Sequence, residues 1–180
     1  MKHKYMNITV VLGTARVGRV SEHVAKTIER LLTEAGGSVT YVDVKDHVQK
    51  AVTVPPWGEG GADEHPTKWK EIVSTTDAFV FVLPEYNHSY PGEWKLLMDT
   101  LFAEYADKRA YIVAVGGGVF AGARVMEHVL PLLVNYKFVL SAKRLHVGSA
   151  SAQFDETGAL VDEETAKRFA AFAADVVAGA

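Results

Sequence analysis

The sequence predicts an α/β domain: a parallel five-stranded sheet with helices on both faces. Three observations carry this. The apolar period switches repeatedly between strand and helix along the 180 residues. The middle strand is uniformly apolar, as a strand covered on both faces must be. No internal repeat, low-complexity tract or linker divides the chain, so residues 1–180 are expected to form one domain.

The run Ile8-Thr-Val-Val-Leu12 reads as a buried first strand. Val20, Val24, Ile28, Leu31, Leu32 and Ala35 then recur at helical spacing, and Gly36-Gly37 ends that helix. Val39-Thr-Tyr-Val42 is a second, short strand. Residues 44–65, with Pro55-Pro56 and three glycines around Trp57, form no regular pattern; they read equally as a functional lid or a solvated insertion. Pro66 suits the first turn of a short helix through Val73.

Ala78-Phe-Val-Phe-Val-Leu83 is the third, central strand. Pro91 opens a helix expected to carry Trp94, Leu97, Met98, Leu101, Phe102 and Tyr105 on one face. A fourth strand spans Ala110–Val115, followed by a helix from about Ala121 to Asn135, expected to kink at Pro131. A fifth strand lies within Phe138–Val147, and a closing helix turns Ala166, Phe169, Phe172, Ala173 and Val176 inward. The expected order is 2-1-3-4-5, as in flavodoxin-like three-layer sandwiches, which periodicity alone does not fix.

Composition narrows the classes. Hydrophobic residues make up 48% and charged residues 23%, ordinary for a globular chain. A net charge of -3 gives no electrostatic footprint for nucleic acid or an anionic membrane. Cysteine is absent, which excludes disulfides, thiolate metal sites and cysteine nucleophiles. The seven histidines form no ligand spacing; His88 alone is worth watching, and a solvated loop histidine is its blander reading. No G-x-S-x-G elbow points to serine hydrolysis. The apolar run Ile8–Leu12 is too short for a signal core, and no stretch nears the ~18 apolar residues of a membrane span. A soluble, cytoplasmic protein is expected.

In a sheet of this kind ligands collect outside the carboxyl ends of the strands. Three unusual segments fall there. Gly13-Thr-Ala-Arg-Val-Gly-Arg-Val-Ser21 joins the first strand to its helix, whose N-terminus offers unpaired N–H groups to an anion. Thr14 and Ser21 supply hydroxyls, Arg16 and Arg19 supply charge, and Val20 leads into the helix. A G-x-G-x-x-G fingerprint is absent, and the triphosphate-loop spacing Gly13-x4-Gly18 lacks its Lys and Ser/Thr, so an ordinary βα turn with surface arginines stays open.

Pro84-Glu-Tyr-Asn-His-Ser-Tyr-Pro-Gly92 follows the third strand. Tyr86 or Tyr90 could border a flat ring, and Asn87 can donate and accept along its edge. A Pro-capped helix start with exposed aromatics is the plain alternative. Gly116-Gly-Gly-Val-Phe-Ala-Gly122 follows the fourth strand, where a glycine triplet lets backbone amides approach a planar ligand or simply makes a flexible connection. Arg124 beyond it could meet an anionic cosubstrate or lie solvated. Three such loops at one sheet end together point to a phosphorylated planar ligand.

At these residues the sequence resembles the NADPH-dependent FMN reductase family, of flavodoxin-like fold. The family's G-S-x-R, continued P-G-R in one branch, is matched by Gly13-Thr-Ala-Arg-Val-Gly-Arg19, with Thr14 for serine and Val17 for a frequent proline. P-E-Y-N-x-S-x-P-G is matched throughout Pro84–Gly92. G-G-x-x-G-G-x-R is approximated by Gly117–Arg124, with Ala121 where glycine is common. Phe154–Glu163 is similar to the family's segment before its final helix.

The resemblance implies that Thr14, Arg16, Arg19 and Ser21 hold the FMN phosphate, with Gly13 and Val20 in the same cofactor-binding loop. It implies that Pro84, Glu85, Tyr86 and Asn87 border the isoalloxazine through backbone contacts, with Gly116, Gly117 and Gly118 at the pyrimidine side. The implied activity is ping-pong: NAD(P)H, as NADPH or NADH, reduces bound FMN and leaves, and a quinone, azo compound or free flavin takes its place. The flavin carries the redox work, so no catalytic side chain is expected. A homodimer or homotetramer is implied, and Trp94, Leu97, Met98 and Val125 read either as interface or as core. Two other readings are a flavin-binding electron carrier or redox sensor acting through a protein partner, and a nucleotide-binding regulator. The chain lacks the strongly acidic character that carriers often use for docking.

Overall fold

A computed structural model of the chain describes residues 6–48 and 67–179. The expectations for Pro66 and for residues 49–65 lie outside them. Strands β1 (Asn7–Leu12), β2 (Ser38–Asp43), β3 (Ala78–Pro84), β4 (Arg109–Val115) and β5 (Val139–Val147) form one sheet in the order β2-β1-β3-β4-β5. Every pairing is parallel, with Val10 opposite Val80 and Phe81 opposite Ile112. This is the flavodoxin-like order the sequence led us to expect.

Helices α1 (Ser21–Glu34), α2 (Thr67–Thr75), α3 (Gly92–Met98), α4 (Ala123–Asn135) and α5 (Glu163–Ala178) cover the sheet. Alternation along the strands builds a separate core on each face. Val10, Leu12, Val80, Val82 and Val113 pack under α1 and α5, against Val24, Ile28, Leu32, Phe169, Phe172 and Val176. Val11, Phe79, Phe81, Leu83 and Ile112 face the other way, toward Trp69 of α2, Trp94 and Met98 of α3 and Val129 of α4. Burial on both faces explains the uniform apolarity of β3. Trp94, Leu97, Met98 and Val125 are fully buried in this second core, so they are core within the chain and not interface.

The helix after Pro91 is shorter than its apolar spacing suggests and stops at Met98. A helix continuing to Phe102 would use the Met98 carbonyl, but the buried Tyr105 hydroxyl donates to it at 3.2 Å. Thr100 Oγ1 donates to the Leu97 carbonyl at 2.7 Å. The chain turns back through a short 3₁₀ segment, Ala103–Tyr105, which buries Leu101 and Tyr105 but leaves Phe102 48% exposed. The α4 helix runs through Pro131 to Asn135. Among the described residues no helix is long and apolar enough to cross a membrane.

Candidate flavin site

Three connections leave the sheet at one end, each seated by a hydrogen bond to the neighbouring strand. Gly13 N donates to Val82 O at 3.0 Å, Glu85 N to Val115 O at 2.8 Å, and Gly116 N to Val147 O at 2.9 Å. The three segments singled out in the sequence therefore begin side by side.

In the first, Gly13 is needed for packing. A Cβ there would lie 2.4 Å from Leu83 Cδ2 and 3.2 Å from Trp94 Cδ1. The side chain of Thr14 is buried and central to the loop. Its hydroxyl donates to Glu93 Oε1 at 2.9 Å and accepts from Arg16 N at 3.2 Å. With its one hydrogen given to a carboxylate, the 2.9 Å contact with Tyr86 must have the phenol as donor. Arg16 is exposed, with its guanidinium carbon 5.0 Å from the centre of the Tyr86 ring.

Arg19 points the other way. Its guanidinium is buried, donating to Thr14 O at 2.6 Å and pairing with Asp43 at the end of β2 and with Glu22 at 3.3 Å. Burial opposes its charge, but Asp43 and Glu22 outweigh that and hold its pKa above the ordinary arginine value. Val20 stands at the N-cap of α1 without a side-chain cap, and Ser21 begins the helix. Ser21 Oγ is buried and has no hydrogen-bond partner among the described residues.

The second connection is a tight turn. Tyr86 N donates to Ser89 O and Ser89 N to Tyr86 O, both at 2.9 Å. Asn87 and His88 between them have φ of 47° and 68°. Two positive φ values in succession are the type I′ pattern, and both side chains are exposed at its tip. Glu85 turns inward: its carboxylate accepts from Arg124 N at 3.1 Å and from Arg124 Nη1 at 3.0 Å, capping α4. Burial pushes its pKa up, yet these bonds win and hold it below the usual glutamate value. Arg124 thus braces Glu85, and its guanidinium also lies 4.8 Å from the centre of the Phe120 ring.

The third connection is closed at its base and open at its tip. A Cβ on Gly116 would lie 2.6 Å from Gly122 N, so that glycine is packed. At Gly117 and Gly118 a Cβ would meet no described residue within 4 Å, so among the described residues their backbone lies open. Ala121, where the resembled family often has glycine, adopts a φ of 50°.

A cleft of about 490 Å³ lies at this end of the sheet, lined by Arg16, Glu85, Tyr86 and Asn87. Of the anticipated residues, these four meet around one space, and Thr14 is tied to Tyr86. Pro84 is buried at the end of β3. Arg19 and Gly13 serve the loop from inside. Two acidic partners, Asp43 and Glu93, have no counterpart in the sequence reading. An acidic residue in the first turn of a helix reads as an ordinary dipole partner, so nothing local marks Glu93 as reaching Thr14.

Fold and cleft together define a flavodoxin-like domain with a cleft beyond the carboxyl ends of β1 and β3, where ligands collect in sheets of this kind. Residues 6–152 match the family described as NADPH-dependent FMN reductase, and the chain belongs to it. It is 27% identical over 129 residues to the NAD(P)H-dependent FMN reductase LOT6 of Saccharomyces cerevisiae, covering 62% of this chain and 66% of that one. The chain thus spans about two thirds of the length of the yeast relative. A quinone reductase of Pseudomonas putida is 26% identical over 167 residues, 87% of this chain and 86% of that one. The solved structure of FerB, a flavoenzyme NAD(P)H:(acceptor) oxidoreductase from Paracoccus denitrificans, superposes with a TM-score of 0.74 at 22% identity, covering 96% of each chain. That likeness bears on the fold.

Proposed function

We propose that this chain is an FMN-dependent NAD(P)H oxidoreductase that reduces a small-molecule acceptor: a quinone, an azo compound or a free flavin. The observation that carries the reading is the buried Ser21 hydroxyl, unpartnered among the described residues, at the head of a 14-residue helix and in the same loop as the cleft-lining Arg16. A helix N-terminus with a spare donor and a nearby guanidinium suits a phosphate monoester. Tyr86, Asn87 and the open backbone of Gly117 and Gly118 suit a flat ring. Family membership favours FMN as the molecule that has both.

In this reading Arg16, Val20 and Ser21 hold the phosphate. Gly13, Thr14 and Arg19 shape the loop that presents them. Pro84, Glu85, Tyr86 and Asn87 border the ring on one side, and Gly116, Gly117 and Gly118 approach it from the other. The redox chemistry would be that of the bound flavin, hydride transfer from NADPH or NADH to the acceptor by a ping-pong sequence. The chain's part is binding, orientation and exclusion of water. A homodimer or homotetramer would cover Val17, Val119 and Phe120, which are 98%, 87% and 64% exposed on the first and third connections. A cysteine-free chain drawing on NAD(P)H suits the cytoplasm.

Titration with FMN and with riboflavin tests the binding half of the reading, because the two differ only in the phosphate. FMN should bind at least about tenfold more tightly, as expected for a charge-assisted phosphate contact. Equal affinities would place the phosphate reading in error. Steady-state oxidation of NADPH with a soluble quinone then separates an enzyme from a carrier that needs a protein partner.

A further inference from the structure

Glu93 stands outside the motif that marks the second connection, yet its carboxylate enters the first. One oxygen, Oε1, accepts from both Thr14 Oγ1 and Ala15 N, each at 2.9 Å. The hydrogen bonds then run one way, from the Tyr86 phenol to the Thr14 hydroxyl to Glu93, because a carboxylate can only accept. Such a chain polarises along its length, so its acceptor end fixes both hydroxyls. Arg16 N donates into the same Thr14 oxygen at 3.2 Å, which ties the backbone of a cleft-lining residue to the chain.

We propose that Glu93 is the positioning residue of the phosphate loop. It engages two early donors of the loop, Thr14 Oγ1 and Ala15 N, beyond Gly13 N, which is tied to Val82 O. The phosphate is left with the later ones: the Arg16 guanidinium, the Ser21 hydroxyl and the amides leading into α1. It also locks the phenol of Tyr86, so one carboxylate sets the spacing between the phosphate end of the site and its ring end. Glu93 touches neither part of the ligand in this account; it acts through Thr14, Ala15 and Tyr86. The inference rests on the reading of the loop as an FMN phosphate site.

Because both donors converge on one oxygen, a glutamine carbonyl can replace it. Charge and geometry are therefore separable. FMN and riboflavin are titrated into wild type, Glu93→Gln and Glu93→Ala, with a thermal melt of each. Wild type should prefer FMN. Glu93→Gln should keep that preference to within about threefold, and Glu93→Ala should lose about tenfold or more in FMN affinity while riboflavin changes by no more than about twofold.

A variant that is merely less stable would weaken both flavins alike, which overturns the proposal, as does Glu93→Ala with an undiminished preference for FMN. Should Glu93→Ala fail to fold, Glu93→Gln decides: a loss of preference in that variant, which retains the acceptor, contradicts a geometric role. If wild type itself fails to prefer FMN, the phosphate-site reading falls first, and that result is seen before any variant is compared.

Discussion

Glu85 accepts two hydrogen bonds from Arg124, one from its backbone N–H and one from its guanidinium, and so joins the turn after β3 to the start of α4. The carboxylate is held below its ordinary pKa against the effect of burial. A lowered folded pKa means that this stabilisation is fully present above the unfolded value. It fades as pH falls through the lower folded value. Acid unfolding followed by circular dichroism should therefore show Glu85→Gln less stable than wild type near neutral pH. The gap should close below about pH 4.5, the ordinary value for the side chain. A gap that persists unchanged into acid would remove the ionised Glu85 from the account.

Arg19→Leu should destabilise the fold by about 3 kcal/mol, because Asp43 stays buried with its main partner gone. Lys45, 3.1 Å from the same carboxylate, offsets part of the loss. Arg19→Lys should recover little, since one ammonium cannot reach Thr14 O and Asp43 in the guanidinium's fork geometry. Chemical denaturation of the three proteins measures this.

Ser21→Ala and Arg16→Ala should behave alike toward the ligand and leave stability nearly untouched. Among the described residues Ser21 Oγ has no partner to lose, so its removal should leave the melting temperature unchanged or slightly raised. The Arg16 side chain is exposed and lies against the Tyr86 ring, while the backbone bond from Arg16 N to Thr14 survives the substitution. Each substitution should weaken FMN by roughly 1.5–3 kcal/mol, the range for a hydrogen bond to a charged group, and spare riboflavin. Calorimetric titration with both flavins checks it.

Gly13→Ala should cost about 1–3 kcal/mol through overpacking against Leu83 and Trp94. Trimming Leu83 should partly relieve the clash, so the double substitution should be less damaging than the sum of the two. A double-mutant cycle by urea denaturation gives the coupling.

The parts of the molecule that could be read from the chain are those whose cause is local. β3 is apolar at every position because it is covered twice, and Val24, Ile28 and Leu32 show the helical period of α1. What escaped is long-range. Glu93 meets Thr14 across 79 residues and Arg19 meets Asp43 across 24, and spacing holds no trace of either pairing. Arg19 and Arg16 look equivalent in the sequence, yet only the fold turns one inward. The overlong helix after Pro91 has the same origin, since Tyr105 takes the Met98 carbonyl from seven residues away.

An oxidoreductase of the proposed kind has its bound FMN reduced by a nicotinamide and reoxidised by a small acceptor. The direct test is anaerobic mixing of the FMN-loaded protein with NADPH and, separately, NADH, followed by absorbance, with a quinone added afterwards. The flavin should bleach within seconds with at least one nicotinamide, before any acceptor is present, and its colour should return on adding the quinone. Flavin that stays oxidised with both nicotinamides would contradict it.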